Sequence, residues 1–258
     1  ARAGADAFAE RFDRSLDGKV AQLVDWSPNA EEVVADAVRS VFGFDGDDLS
    51  TDDALDRLLN PARNPYRLDT IQVAYHSPLM RSLQHASYTF RKRLSHTADS
   101  QDQRHRMVPG SRPLMTLSDT VRPDYVTPRM IRANPAALAE YEAAMARAWT
   151  AKNRLLALDV PIEFALYVLP NAKVVRFVES GPLIALLHKW TMRTCFNAQE
   201  EIYEASMEEV AQVRPRLARF IGPPCVVRNG LVSPRCTEGS KFCGVPVWRD
   251  FPNAVRPL

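Results

Sequence analysis

The chain has 258 residues, of which 46% are hydrophobic and 25% charged, and its formal net charge at pH 7 is +2. This composition is typical of a globular protein, and the length allows one large domain or two small ones with a sizeable core. No stretch approaches the ~20 apolar residues that span a bilayer, and we recognise no secretory signal, so we expect a cytoplasmic protein with no membrane contact. The near-neutral charge and the scarcity of aromatic residues in the arginine-rich stretch 91–112 argue against a nucleic-acid binder.

Hydrophobic periodicity and helix-capping residues divide the chain into predicted elements. Ser50 with Asp53 predicts one capped helix start, and Asn134 before Pro135 predicts another. In chain order we predict a helix over 5–16, a strand over 19–25, a helix over 27–42, a helix over 50–59, mostly helix over 68–102, a loop over 107–113, a helix over 134–156, a strand over 172–178 and a helix over 181–213. The stretch after residue 222 lacks helical periodicity, which predicts loops or a small hairpin around Asn229-Gly230.

These elements predict three parts. Residues 1–18 form a polar helical arm or the end of a larger polypeptide, residues 19–221 form the main domain, and residues 222–258 form a cysteine-containing tail packed on that domain. Within the main domain, Arg91, Lys92 and Arg93 are expected to lie on a solvated charged face.

The segment Gln101-Asp-Gln-Arg-His-Arg106 places two guanidiniums beside an imidazole, a set that is costly in a core and useful around a phosphorylated aromatic ligand. A later predicted helix carries Arg193 and Asn197 four residues apart, hence on one face. Arg193 could bind a phosphate or a pyrimidine carbonyl, or could pair with a helix carboxylate such as Glu200. Spacing alone favours the ion pair.

The two segments together resemble the flavin-dependent thymidylate synthases, the ThyX family. The matching features are Gln-x-x-Arg-His-Arg, a later strand, a helix with Arg193, and Ala198-Gln-x-Glu-Ile202 five residues after that arginine. The opening strand and helix around 20–39 and the turn Leu166-Tyr-Val-Leu-Pro170 are also similar to the family. The resemblance covers about residues 19–215 and implies an α/β (α+β) fold, with a central antiparallel-rich sheet flanked by long helices.

The resemblance also implies a function. Such enzymes are homotetramers with active sites at subunit interfaces, and they use FAD and NADPH to methylate dUMP reductively with methylenetetrahydrofolate; we therefore expect a homo-oligomer, a dimer or a tetramer. The implied nucleotide-binding residues are Gln101, Ser111, Arg112 and Arg193, and the implied cofactor-binding residues are Arg104, His105, Arg106, His188 and Asn197. Arg193 would be catalytic, because a cation beside the pyrimidine carbonyl makes C5 nucleophilic.

Several positions depart from the family pattern. Leu114 stands where the family has a serine, and neither the stretch 165–167 nor Pro182-Leu-Ile184 supplies an expected arginine. His76-Ser77-Pro78 is either an early flavin motif or a simple helix start. These departures leave open a second interpretation, in which the chain is a non-catalytic ThyX-like domain that supports an active partner domain.

The four cysteines suggest a further site. Cys225, Cys236 and Cys243 lie in the tail, and Cys195 or His188 could complete a metal site if the tail folds back onto the last long helix. The spacing contains no Cys-x-x-Cys pair, so zinc or an iron–sulfur cluster remains an alternative to unligated, partly buried cysteines.

Overall fold

The structure is a computed structural model, and it describes residues 2–68, 73–213, 215–228 and 230–257. Its α-helices are α1 (Arg2–Arg14), α2 (Ala30–Phe42), α3 (Thr51–Leu59), α4 (Pro78–Arg81), α5 (His96–Asp102), α6 (Arg129–Arg132), α7 (Pro135–Ala157), α8 (Ile162–Ala165), α9 (Leu183–Arg193), α10 (Glu200–Ala211), α11 (Pro215–Ala218) and α12 (Pro224–Val227). Its strands are β1 (Ala21–Trp26), β2 (Ser87–Ser95), β3 (Gly110–Ser111) and β4 (Val174–Pro182).

The strands form one antiparallel sheet in the order β1-β2-β4-β3. β2 and β4 pair along their whole lengths, from Ser87 opposite Pro182 to Ser95 opposite Val174. Helix α10 covers the outer side of the edge strand β1: Glu208 accepts hydrogen bonds from the backbone N–H groups of Val20 and Ala21 at 2.7 and 2.9 Å. The helix thereby satisfies donors that an edge strand leaves unpaired. The predicted fold class, an antiparallel sheet flanked by helices, is confirmed.

The largest hydrophobic core lies between the sheet and the helices α2, α3 and α9. Trp190 of α9 is fully buried and packs edge-on against Tyr88 and Phe90 of β2, with ring centroids 6.3 and 6.4 Å apart. Because bulky aromatic pairs contribute more than their buried area, this contact fixes how α9 lies on the sheet. The position of α9 matters because its last turn carries Arg193.

The N-terminal helix and the tail both contact the central part of the chain. Asp13 of α1 accepts two hydrogen bonds from Arg176 of β4, each of 2.7 Å. In the tail, Cys225 and Val247 pack in a small apolar cluster with Phe196. The proposed boundaries at residues 18 and 221 stay predictions.

Two predicted helices are wrong in part. The stretch 68–102 contains β2 between short helical turns, because the buried residues Tyr88, Phe90 and Leu94 repeat with the two-residue period of a strand; residues 69–72 lie outside the described residues. Ser77 caps α4 by accepting a hydrogen bond from the Met80 backbone N–H. His76-Ser77-Pro78 therefore starts a helix, which is one of the two interpretations given for this segment.

The predicted helix over 181–213 is interrupted. Strand β4 continues to Pro182, α9 ends at Arg193, and α10 begins at Glu200 after Gln199 accepts a hydrogen bond from the Ile202 backbone N–H at 3.1 Å. The predicted hairpin falls partly on Asn229, outside the described residues, and residues 230–257 contain no strand. Among the helices of the described residues, none is both long enough and apolar enough to cross a membrane.

Candidate active site

Arg193 connects the two segments that the sequence singles out. Its Nε donates to Nε2 of His105 at 2.8 Å, and its two terminal nitrogens donate to the side-chain and backbone oxygens of Gln101, each at 3.2 Å. Two predicted nucleotide-binding residues and one predicted flavin-binding residue therefore meet at one point, although they lie about 90 positions apart in the chain.

Local capping places the Arg-His-Arg segment. Ser95 accepts a hydrogen bond from the Ala98 backbone N–H at 3.1 Å and starts α5, which carries Gln101 near its end. The chain then turns tightly, with the His105 backbone N–H donating to the Asp102 carbonyl at 3.0 Å. In this turn His105 is buried, whereas Arg104 and Arg106 are exposed on either side.

His105 is a neutral ring at pH 7. Burial, with the charges of Arg193 and Lys189, lowers the pKa of His105 to about 3. Because Nε2 accepts the bond from Arg193, the neutral ring carries its proton on Nδ1. The ring of His188 lies 5.8 Å away, and burial together with Arg193 and Arg67 lowers the pKa of His188 as well.

A cavity of about 380 Å³ opens onto this group; here it is called the arginine cavity. It is lined by Tyr75, Arg104, His105, Arg106, Met107, Val108, Ala185, His188, Met192 and Arg193. Among the described residues, no carboxylate lines it, and neither Arg104 nor Arg106 forms an ion pair. An arginine-rich cavity without carboxylates favours an anionic ligand.

A second cavity of about 250 Å³ adjoins the first and is called the aromatic cleft. Its lining residues are Tyr66, Arg67, Leu68, Tyr75, Met80, Ile184, Leu187, His188, Thr191, Met192, Pro224, Val227, Arg228 and Thr237. The two cavities share Tyr75, His188 and Met192. The sequence indicated only His188 of these lining residues, because Arg67 and Tyr75 stand in no motif.

A buried cluster of charged side chains lies beneath Arg193; here it is called the buried ion cluster. Its members, each no more than 1% exposed, are Lys92, Asp102, Glu179, Lys189 and Glu209. Lys92 Nζ lies 3.0 Å from Asp102 and Glu179 and 2.7 Å from Glu209, and Lys189 Nζ lies 3.1 Å from Asp102 and also contacts Glu179. Trp190 donates its indole N–H to Glu209 at 2.7 Å.

This cluster corrects the expectation of a solvated face at 91–93. Side chains of a strand alternate between faces, so Arg91 is exposed while Lys92 points into the core with Phe90 and Leu94. A lysine inside the apolar run of α9 was a usable signal for the partner Lys189, since buried lysines require partners.

The cluster's protonation follows from burial and mutual charge. Burial opposes the charge on Lys92, yet three carboxylates raise its pKa well above the usual value. Burial opposes ionisation of Asp102, yet Lys189 and Lys92 lower its pKa. Burial raises the pKa of Glu179 to about 7 in spite of the same two lysines. Asp102 thus stays ionised next to Gln101 and supports the positive charge of Arg193.

Three predicted site residues lie elsewhere. Ser111 is exposed on β3, and Arg112 donates to Asp99 at 2.7 Å with its guanidinium 4.3 Å from the ring centroid of Phe177. Asn197 donates to the Lys241 carbonyl at 2.6 Å and so ties the tail to the segment between α9 and α10. None of the three lines the arginine cavity or the aromatic cleft.

The prediction of zinc or an iron–sulfur cluster is not supported. Cys195, Cys225, Cys236 and Cys243 are all free thiols, and the described part of the chain holds no group of three or more His, Cys, Asp or Glu side chains arranged to bind a metal. Burial raises the pKa of the Cys225 thiol to about 11 and raises that of Cys195, and the neighbouring cysteines add to both shifts. Cys225, Cys236 and Cys243 pack in the apolar cluster around Phe196 and Val247.

Comparison with known proteins identifies the family. A family model described as "Thymidylate synthase complementing protein" matches residues 22–217. The chain belongs to this family, ThyX. A protein from Geobacter sulfurreducens named flavin-dependent thymidylate synthase is 31% identical over 229 residues, which cover 86% of this chain and 92% of that protein. A protein of the same name from Sulfolobus acidocaldarius is 28% identical, covering 87% and 91%. One from Clostridium tetani is 26% identical, covering 88% and 94%.

The residues matched by the ThyX family model include the centre of the candidate active site. The match includes Gln101, the Arg104–Arg106 turn and Arg193, and it excludes α1 and the whole tail. The resemblance inferred from the sequence motifs is therefore confirmed for the segments that meet at Arg193, whereas Pro224, Val227 and Arg228 of the aromatic cleft lie beyond the matched residues.

Proposed function

We propose that this protein is a flavin-dependent thymidylate synthase, which methylates dUMP reductively to dTMP with methylenetetrahydrofolate and NADPH. The observation that carries the proposal is the arginine cavity, where Arg104, Arg106 and Arg193 surround a neutral histidine and no carboxylate of the described residues competes for them. A nucleotide phosphate and an anionic flavin dinucleotide are ligands that such a cavity stabilises.

The residues present fit FAD. His105 and His188 offer aromatic surface at one side of the cavity, and Arg104 and Arg106 offer unpaired charge at its mouth. FAD, when bound, supplies the hydride that NADPH delivers to it. Neutral His105 adds no positive charge to the site, so the positive charge that lines the cavity comes from the guanidiniums.

Arg193 has hydrogen-bonding capacity left for a substrate. A guanidinium carries five N–H groups, and three of them are bound to His105 and Gln101. The remaining N–H on each terminal nitrogen can donate to a pyrimidine carbonyl, where negative charge builds as C5 becomes nucleophilic. Gln101 and His105 hold the guanidinium in place, so little reorganisation is needed when substrate binds.

We also propose that the protein acts as a homo-oligomer, a dimer or a tetramer. Phe164 and Tyr167 are 64% and 84% exposed, and Leu114 and Leu117 are 68% and 74% exposed. Large apolar side chains so exposed on one chain are typical of surfaces buried by another subunit. A second subunit would also bring further groups to Ser111 and to the exposed mouth of the arginine cavity.

The test is spectroscopic and kinetic. The purified protein, supplied with FAD, should show a flavin spectrum that NADPH bleaches, and NADPH oxidation should depend on dUMP and methylenetetrahydrofolate with dTMP as product. Flavin binding without dTMP formation under these conditions would contradict the proposed reaction.

A non-catalytic role is the second candidate, and one observation favours it. Pro182 and Ile184 begin α9 without a charged or amide side chain, and Leu114 faces solvent. On this interpretation the chain stabilises an active ThyX partner. A protein that takes up no FAD but raises the activity of a co-expressed ThyX enzyme would establish it.

A further inference from the structure

The aromatic cleft contains a cation that the proposed reaction does not use. Arg67 lies in a 3₁₀ turn over Pro65–Leu68 and is only 9% exposed, yet it lines the cleft. One terminal nitrogen donates to the Phe220 carbonyl at 3.0 Å, while its Nε has no hydrogen-bond partner among the described residues. No ion pair joins Arg67 to a carboxylate of the described residues.

Such a guanidinium is expensive to bury. Burial lowers the pKa of Arg67 to about 10, so the group is still charged at neutral pH. Charged side chains are rarely buried without a partner, because they lose their hydration. A buried cation that lines a cavity and has no carboxylate partner among the described residues therefore indicates an anionic group in the ligand.

The surroundings indicate what carries the anion. Tyr66 and Tyr75 supply aromatic surface, and Ile184 and Leu187 of α9 supply an apolar wall. Arg228 adds a second cation whose Nε is held by the Pro234 carbonyl at 3.0 Å. The cleft therefore suits an aromatic group joined to an anionic one.

The cleft also continues into the arginine cavity. Tyr75, His188 and Met192 line both, and the charge of Arg67 is close enough to contribute to the lowered pKa of His188. The combined site has aromatic surface in both cavities and guanidiniums in both. This pattern matches a long ligand with aromatic rings at its two ends and an anionic linkage between them.

We propose that Arg67 is the ligand for the diphosphate of a flavin dinucleotide, with the adenosine end in the aromatic cleft and the flavin end in the arginine cavity. The proposal rests on the flavin-dependent function proposed above. It assigns the cofactor's anionic linkage to a residue outside every motif in the chain. Ile184, the α9 residue in the cleft wall, provides no charge for this purpose.

The test compares flavins that differ in their phosphates. Dissociation constants for FAD and for riboflavin, which has no phosphate, are measured by flavin fluorescence with the full-length protein and with Arg67→Met. The variant should bind FAD about 10- to 100-fold more weakly, the range of a lost charge-assisted bond, and riboflavin within about threefold of the wild type.

Two further variants separate binding from folding. Arg67→Gln removes the charge but can still donate to the Phe220 carbonyl, so it should lose FAD affinity as Arg67→Met does while unfolding at the wild-type temperature. Arg219→Met is the matched control, because this exposed arginine stacks 4.7 Å from the Phe220 ring centroid without lining the cleft. It should bind FAD normally.

The outcomes are distinct. If the wild type binds FAD and both Arg67→Met and Arg67→Gln bind it with the same affinity as the wild type, the role of Arg67 is overturned. The proposed flavin-dependent function would then still hold. Equal weakening of FAD and riboflavin would also overturn the role of Arg67, since the phosphates would then be irrelevant. Weakened binding of methylenetetrahydrofolate with unchanged FAD would assign Arg67 to the folate carboxylates instead. Wild-type protein that binds no flavin at all would remove the proposed function itself.

Discussion

Arg193 shows how much a single residue can be constrained by its neighbours. Its three hydrogen bonds to Gln101 and His105 fix a guanidinium whose remaining donors face a cavity. Spacing alone favoured pairing with Glu200, yet the structure gives Arg193 no ion pair among the described residues, and Glu200 instead accepts a bond from the Arg129 backbone N–H at 2.9 Å.

Replacing Arg193 should therefore abolish catalysis without unfolding the protein. Arg193→Ala is expected to lower the rate of dTMP formation by at least about 100-fold, as for other preorganised donors. Circular dichroism and thermal unfolding should stay as in the wild type. Arg132→Ala, an exposed arginine outside both cavities, is the control and should keep full activity. Normal turnover by Arg193→Ala would remove this residue from the mechanism.

His105 makes stability depend on pH. Its folded-state pKa of about 3 lies below the usual ~6.5, so the folded protein binds fewer protons than the unfolded chain between these values. The free energy of unfolding is therefore highest above pH ~6.5, and it decreases as the pH falls toward 3. Urea denaturation of the wild type and His105→Asn should show the wild type losing up to about 1.4 kcal/mol per pH unit relative to the variant over this range.

The exposed His96 provides the comparison for that experiment. His96 begins α5, the helix that precedes the turn carrying His105, and its side chain is exposed, so His96→Asn should leave the pH profile of the wild type unchanged. Parallel pH profiles for the wild type and His105→Asn would show that His105 is not buried as a neutral ring.

At the scale of elements, the buried ion cluster joins β2, α5, β4, α9 and α10. Each of these five elements contributes one charged side chain, so the cluster holds the sheet and the three helices in a single relative position. Buried ion pairs contribute little net stability when intact, but removal of one member leaves the others unpaired.

Lys92→Met should destabilise the protein by about 3–5 kcal/mol, because three carboxylates are left with one lysine. Arg91→Met is a matched control one position away on the exposed face of β2, and it should change the free energy of unfolding by less than about 0.5 kcal/mol. Adding Glu209→Gln to Lys92→Met should restore part of the loss, since it removes one unpaired charge. Equal stabilities of Lys92→Met and Arg91→Met in guanidinium chloride would contradict the cluster.

At the scale of the whole molecule, the exposed apolar side chains argue for assembly. Light scattering after size-exclusion chromatography should give the mass of a dimer or tetramer for the wild type. Phe164→Glu combined with Tyr167→Glu should shift the protein to smaller species, because two carboxylates would be buried without partners at a subunit contact. Lys241→Glu, a tail substitution, is a surface control for the added charge. An unchanged mass of the double variant would place the subunit contact elsewhere.

How well the sequence predicts the structure also depends on scale. Local signals predicted the helix starts at Ser50 and Asn134, since each side chain caps the turn that follows it. The same local signals failed for β2, where the apolar residues fit the period of a helix as well as that of a strand. They also failed for the gap between α9 and α10, because its sequence is compatible with a helix. Burial of Lys92 could not be predicted, because its partners come from distant elements.

The candidate site divides in the same way. Gln101, His105 and Arg193 were predicted from a family resemblance, and they meet in the structure. Arg67 escaped prediction because its importance arises from burial, a property that no neighbouring residue in the chain signals.

The buried ion cluster finally bears on how this sequence can evolve. Loss of any one of its charges passes through a destabilised intermediate that selection removes, whereas exchange of the whole set for apolar residues can be neutral. The five positions of the cluster are therefore epistatic, since each tolerates substitution poorly while the others keep their charge. They are 92, 102, 179, 189 and 209. Mutational drift in this protein should be fast on the arm, the tail and the outer helices, and slow at five positions that line neither cavity.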